Sequence, residues 1–431
     1  MDHQTGHNAK RQRLVAVLDV GSSKVCCMIA KPVPAPDYLA GEGGSALLRV
    51  IGFGHQRSQG IKSGMIVHMD AAEQAIRAAV DQAERMAGTI IGEVMLSISC
   101  GRLKSDIFTA SAAIATESVR KHDVNKVLAA GRDYAARDER IVLHTMATGY
   151  RLDGENAIAD PEGMIADRLS VDVHTVVADD QPVRNLMLCV ERCHLSVAGL
   201  VAAPYASGLS AISDEEAQLG AICIDMGSGT TGFSVFAEGE FAYCDAIAMG
   251  GNHITLDLAR SLSTPLEEAE RIKTLHGCAF AAASDESEII TFPVVGEHRT
   301  PQFNQASKAQ IAQQVQKRIE EILQLTRDRL DAAGFGAMAG QNIVLTGGAS
   351  QLTGLSDFAA RIFSKSVRIG CPKHLPVLPG HGVGPAFTTA TGILQYAMRN
   401  PGEFNPRAEA WMLGTGTGYF SRVGQWIRES F

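Results

Sequence analysis

The stretch Ala221-Ile-Cys-Ile-Asp225-Met-Gly-Ser-Gly-Thr-Thr-Gly232 passes from an apolar strand into an Asp-Gly-Ser turn, and Phe233 to Ala237 returns as a second strand. The same device opens the chain: Leu14 to Leu18 is apolar, Asp19-Val-Gly21-Ser22-Ser23-Lys24 is the turn, and Val25 to Ala30 is the returning strand. Duplication at this distance predicts two domains of like topology. An Asp at a strand end, followed by Gly and hydroxyl residues, is suited to phosphate. Glycine lets the backbone approach closely, and successive N–H groups make a concavity for an anion. Ser22, Ser23, Thr230 and Thr231 add hydroxyl donors, and Lys24 adds a point charge. Asp19 and Asp225 are placed to hold Mg²⁺, mostly through water. One such turn alone reads rather as an ordinary hairpin. Two copies, with Leu345-Thr-Gly347-Gly348-Ala349 after a third strand, favour a phosphate site.

Between the two turns the texture alternates. Leu47 to Gly54 reads as a strand behind a long loop at 32–45, and Asp70 starts a helix that Gly88 ends. From about Ile90 to Ala166 the chain is strand-rich with one helix from Lys121, the pattern of an inserted domain. Val171 to Val177 is a strand, and Val183 to Cys193 a helix carrying Cys189 and Cys193. Those thiols and His194 could be taken for metal ligands, but a helical core position favours buried, inert side chains. Thr264-Pro-Leu-Glu267 and Ser307-Lys-Ala-Gln310 read as capping boxes opening two further helices, the second running through Leu330.

Composition narrows the function. A chain of 431 residues leaves room for roughly two to four domains. The net charge of -8 excludes a general nucleic-acid binder, which needs a basic surplus against phosphates. Nine scattered cysteines suit a reducing compartment rather than a disulfide framework. The polar stretch Met1 to Arg13 lacks the apolar run of a signal peptide, and no run is long enough to span a bilayer.

The two turns and the Gly-Gly segment resemble the phosphate-1, phosphate-2 and adenosine motifs of the actin, chaperone and sugar-kinase superfamily. Within it the chain resembles the bacterial cell-division FtsA family over nearly its whole length. Supporting segments are Ser58-Gln-Gly-Ile-Lys-Ser-Gly-Met-Ile-Val67, Leu96-Ser-Ile-Ser99, Gly250-Gly-Asn252, Ala269-Glu-Arg-Ile-Lys273-Thr-Leu-His-Gly-Cys278 and Ile343-Val-Leu-Thr-Gly-Gly-Ala349. The resemblance implies an α/β, actin-like fold of two duplicated domains around an ATP·Mg²⁺ cleft. It implies a nucleotide site of Gly21, Ser22, Ser23, Lys24, Gly227, Ser228, Gly229, Thr230, Thr231, Gly251 and Asn252. Glu270 and Lys273 would lie near ribose and adenine, with Gly347, Gly348 and Ala349 behind the base. Without the motif, Glu270 and Lys273 read as an i,i+3 ion pair on a solvated helix face. The implied divisions are subdomain 1A at 14–87 and 167–196, an inserted 1C at 88–166, 2A at 197–248 and 304–398, and 2B at 249–303. Implied partners are FtsZ, meeting 2B, further copies of this chain in filaments, and later division proteins.

Residues 399–418, with two prolines and four glycines, read as a flexible linker to a terminal amphipathic helix. Phe420, Val423, Trp426 (or Ile427) and Phe431 share one face, with Tyr419 beside it and Arg422 and Arg428 toward the flanks. Such a helix lies in a lipid interface, and its shortness predicts weak binding by one copy and avidity from a filament. The expected location is the division site, on the cytoplasmic side of the inner membrane. Hydrolysis needs a group to position water; the resemblance implies that it would lie on the segment before the second turn, and Gly199-Leu-Val-Ala-Ala-Pro-Tyr205 there carries no carboxylate or amide side chain. Little or no ATP turnover is expected, which also weighs against a sugar kinase. A pilus-assembly protein of the same fold is the nearest rival, and the amphipathic end distinguishes the two.

Overall fold

The structure, a computed structural model, describes residues 14–33, 47–100, 102–114, 118–135, 140–158, 160–296, 302–338, 342–372 and 384–398. The expected linker at 399–418, the expected terminal helix at 419–431 and most of the loop at 32–45 lie outside the described residues. Among the described residues no helix is long and apolar enough to cross a membrane.

Two five-stranded sheets repeat one topology. In the first, Val15–Val20, Lys24–Val33 and Leu47–Arg57 form an antiparallel meander. Glu93–Ile98 then pairs parallel to Val15–Val20, and Ser196–Ala202 pairs parallel to Glu93–Ile98. In the second, Ala221–Met226, Thr231–Ala237 and Glu240–Ile247 form the meander. Asn342–Thr346 and Ser366–Ile369 extend it in parallel. The central strands are apolar and buried on both faces, as parallel pairing under helices requires. Helix Met69–Ala87 covers the first sheet with Ala72, Ile76, Ala79, Val80 and Ala83. These mostly small side chains let it lie close, and Gly88 closes it in the left-handed conformation. Helices Ala203–Ala211 and Thr388–Met398 pack on each other, the first also against the second sheet and the second against the first. Tyr205, Ile393 and Leu394 join the core there.

Three boundaries differ from the sequence expectation. Glu93–Ile98 was expected in the inserted domain at 88–166, yet it is the fourth strand of the first sheet. Arg168–Asp179, expected in the first half at 167–196, is an inner strand of the insert. It pairs with Lys104–Ala113 on one side and Arg140–Leu152 on the other. Ser196–Ala202, most of which was expected in the second half at 197–248, is an edge of the first sheet. An apolar strand reads alike in either sheet, and only long-range pairing decides. The insert has its own core of Val119, Val127, Leu128, Leu152, Leu169, Val171 and Val173 beneath helix Lys121–Ala135.

The region at 249–303 carries helices Gly251–Leu262 and Leu266–His276 and the strand Ile289–Pro293, whose hairpin partner Phe303–Ser307 runs past the expected bound at 303. The expected capping box at Thr264 does not form, because the Thr264 hydroxyl donates to the Pro293 carbonyl at 2.8 Å. The box at Ser307 and Gln310 does form, opening helix Lys308–Ala332. In helix Asp180–Arg192, burial pushes the Cys189 thiol up to about 11, and that of the following Cys193 up to about 12. Neither is a ready thiolate ligand at neutral pH.

His174, fully buried on Arg168–Asp179, has its Nε2 3.0 Å from Ser105 Oγ. Burial first, then the neighbouring His144, pushes its pKa down to about 4. Between the ordinary value of 6.5 and about 4 the unfolded chain binds the proton and the fold does not. Stability should therefore fall with acid across that window, by at most about 1.4 kcal/mol per pH unit. Denaturant melts from pH 7.5 to 4.5 should show this slope, and His174→Gln should flatten it.

Candidate nucleotide site

The two turns close in the same way. Asp19 pairs with Cys26 across its hairpin, as Asp225 pairs with Gly232 across the other. The Gly21 N–H donates to the Lys24 carbonyl at 2.9 Å, and the Gly227 N–H donates to the Thr230 carbonyl at 2.9 Å. Each Asp thus ends a strand with its carboxylate turned toward one shared cavity of about 530 Å³. The turns approach so closely that a Cβ on Gly229 would lie 2.4 Å from Ser22 Oγ. Only glycine permits this contact between the halves.

Sixteen of the eighteen residues expected to hold nucleotide or metal line this cavity. They are Asp19, Gly21, Ser22, Ser23, Lys24, Asp225, Gly227, Ser228, Gly229, Thr230, Gly251, Glu270, Lys273, Gly347, Gly348 and Ala349. Thr231 does not: it begins the returning strand, fully buried, and its hydroxyl donates to the Met249 carbonyl at 2.8 Å. Asn252 does not either. Its side chain is exposed, and its N–H donates to the Ser228 carbonyl at 2.8 Å, bracing the turn from behind. The expected membrane residues lie outside the described residues.

Both carboxyls are pushed upward, first by burial. For Asp19, Lys24 and the Ser97 hydrogen bond oppose this. For Asp225, the hydroxyls of Ser207 and Thr389 oppose it, while the charge of Asp19 adds to it. The Ser97 hydroxyl donates to Asp19 Oδ1 at 2.7 Å; those of Ser207 and Thr389 donate to Asp225 Oδ2 at 2.5 and 2.9 Å. A pair of mutually repelling, desolvated carboxylates fits a divalent cation. No cluster of three or more Asp, Glu, His or Cys that could hold a metal occurs among the described residues. Two carboxylates facing one cavity are a donor set compatible with Mg²⁺, which keeps water and uses ligand phosphates.

Donors for phosphate are also present. Ser228 Oγ is buried at the cavity wall without a hydrogen-bond partner, a cost that an incoming oxygen would remove. Lys24 Nζ lies 3.9 Å from the centre of the Phe387 ring, a cation–π contact that holds the ammonium at the cavity.

At the other end, Lys273 Nζ donates to Glu270 at 2.7 Å, Thr255 Oγ1 at 2.9 Å and the Gly251 carbonyl at 3.2 Å. The i,i+3 ion pair therefore exists, and it also faces the cavity. Gly347 takes φ +84°, and a Cβ there would lie 2.3 Å from Asp225 Oδ1, so the Gly-Gly segment packs directly on the second turn.

Sequence reasoning missed Ser97, Ser207, Thr389 and Phe387. Ser97 had a signal, a polar residue in a buried strand. Thr389 meets Asp225 from 164 positions away, and no local pattern foretells that.

The family model described as cell division protein FtsA matches residues 222–392, and that of the SHS2 domain inserted in FtsA matches residues 100–177. The second match agrees with the observed edges of the inserted sheet rather than with 88–166. The cell division protein FtsA of Agrobacterium fabrum is 47% identical over 98% of this chain and 96% of its own length. Among solved structures, the PilM–PilN type IV pilus biogenesis complex aligns with a TM-score of 0.61 at 15% identity, over 90% of this chain and 99% of that one. MreB5 of Spiroplasma citri bound to ADP aligns at 0.53 and 13% identity, over 89% and 96%. At such identities these two show the fold alone, which is actin-like. The relative, the family models and the fold agree: this chain belongs to the FtsA family of cell division proteins.

Proposed function

We propose that the chain binds ATP·Mg²⁺ in the cavity between its halves, assembles into filaments and anchors FtsZ polymers to the inner face of the cytoplasmic membrane. The observation that carries the nucleotide reading is the pair of matched turns facing one cavity, each with a desolvated aspartate, and the unpartnered Ser228 hydroxyl of the second turn. Gly21, Ser22, Ser23, Lys24 and Gly227 to Thr230 would hold the phosphates. Asp19 and Asp225 would hold Mg²⁺, which neutralises phosphate charge when bound. Glu270 and Lys273, with Gly347 to Ala349, would form the nucleoside end.

Turnover is slight in this reading. The segment 199–205 contributes Ala203 and Pro204 to the cavity, and neither can orient or deprotonate water. The nucleotide then acts by closing the cleft and favouring assembly. The helix from Tyr419 to Phe431 supplies the lipid contact, the region at 249–303 the FtsZ contact, and the inserted domain a surface for later division proteins. The pilus rival rests on a 15% likeness, which carries only the fold, whereas the relative in Agrobacterium is 47% identical.

ATP should bind with Mg²⁺ and Lys273→Ala should weaken it about tenfold, or about 1.4 kcal/mol, read by displacement of a fluorescent ATP analogue. Phosphate release should stay near background. Robust turnover abolished by Asp19→Asn would contradict the structural role of the nucleotide.

In vesicle flotation, FtsZ polymers should float with the full chain and not with a version ending at Gly418. If the chain floats and leaves FtsZ behind, the anchor stands and the partner is wrong. If the full chain does not float even when polymerised, the membrane reading fails.

A further inference from the structure

The base of the inserted sheet is fastened to both halves of the cleft. On Arg140–Leu152, His144 Nε2 accepts a hydrogen bond from the Ala202 backbone N–H at 2.9 Å. Ala202 ends its strand in the first sheet, and the next residues, Ala203 and Pro204, line the cavity. On Lys104–Ala113, Ser105 Oγ accepts from the Cys244 backbone N–H at 2.9 Å. Cys244 belongs to Glu240–Ile247, the edge strand of the second sheet.

Both ties sit on one rung. Ser105 and His144 are each paired with Val176, from opposite sides of the same strand. Two strand spacings separate them, roughly 10 Å, and the ladder shifts register beyond Val176 and not at it, so at this rung the hydrogen-bonded sheet holds that distance. The space beside the rung is filled by rings. Tyr205 stacks on Phe241 at 4.1 Å, and His144 meets Tyr205 and Tyr396 edge-on at 5.0 and 5.6 Å. Tyr205 directly follows Pro204, whose carbonyl accepts from Ser234 Oγ on the second sheet.

Motion of one half relative to the other changes the separation of Ala202 and Cys244. A close-packed, unstretchable rung cannot follow both, so one tie breaks or the inserted domain turns. We infer that His144 and Ser105 couple the filling of the cavity to the order and orientation of the inserted domain. This rests on the cavity being the nucleotide site. The arrangement described satisfies both ties, and one with the halves farther apart gives up one of them. Linkage makes the effect reciprocal: a partner that grips the inserted domain in the orientation that satisfies both ties raises nucleotide affinity by the same factor.

The test uses the full chain as wild type, His144→Gln, His144→Leu and Ser105→Ala, with ATP and Mg²⁺. Binding is measured first, then hydrogen exchange of peptides covering 104–113 and 140–152 with and without saturating ATP. In wild type and in His144→Gln, whose amide oxygen can accept from Ala202, ATP should slow exchange about fivefold, the low end of ordinary coupling. His144→Leu and Ser105→Ala should bind ATP and lose the slowing. The inference is overturned if both keep the full slowing, or if wild type binds ATP and the insert does not respond. Should His144→Leu fail to fold, Ser105→Ala decides by the same criterion. If wild type does not bind ATP at all, the binding measurement alone reports that the nucleotide reading has failed, and the coupling falls with it.

Discussion

Two carboxylates, Asp19 and Asp225, are withdrawn from water at one end of the same cavity, and burial opposes the charge of each. Such groups persist only where hydrogen bonds, a nearby cation or a bound ion offset the lost hydration. The surrounding structure supplies the first two. Ser97 comes from the neighbouring parallel strand, while Ser207 and Thr389 come from the two helices packed between the sheets. Lys24 contributes the cation, held against Phe387. Each half of the molecule brings one aspartate, so the site is complete only when the halves meet. The contact of Gly229 with Ser22 is where they do.

This constraint explains why the two turns are so legible in the sequence. Each must place Asp, Gly and hydroxyl residues consecutively, because the backbone closes the turn within four residues and leaves no freedom of spacing. The strands feeding them must be apolar on both faces, which gives continuous runs such as Val15–Val20 and Ala221–Met226. Thr231 marks the limit of that reading. Paired with Met226, it already belongs to the returning strand, where alternation turns its side chain away from the cavity. The register could have been inferred from the turn length, but two adjacent threonines hide which one faces the cavity.

Other features left no local trace. The partners of Asp225 come from 18 and 164 positions away. The limits of the insert were misplaced because Glu93–Ile98 and Arg168–Asp179 are both apolar strands, and composition does not say which sheet receives them. Topology does. Glu93–Ile98 and Ser196–Ala202 are adjacent parallel strands, and parallel neighbours require a crossover that returns the chain to the starting end. Here the crossover contains the whole inserted domain before helix Asp180–Arg192 brings the chain back.

That crossover has a consequence for function that no single residue carries. In open α/β sheets, ligands gather at the carboxyl ends of parallel strands. Both strands flanking the insert end at the cavity, through Ser99 on one side and Ala203 on the other. The chain therefore leaves the first sheet for the insert at the edge of the cavity, and it crosses toward the second half just past Ala202. A domain inserted at that position cannot be mechanically remote from the cleft, whatever its own sequence. Its buried face needs polar partners, and the nearest are backbone N–H groups at the sheet edges that frame the cavity, where His144 and Ser105 find them. The tie between insert and cleft thus follows from the place of insertion, and the two side chains supply its chemistry.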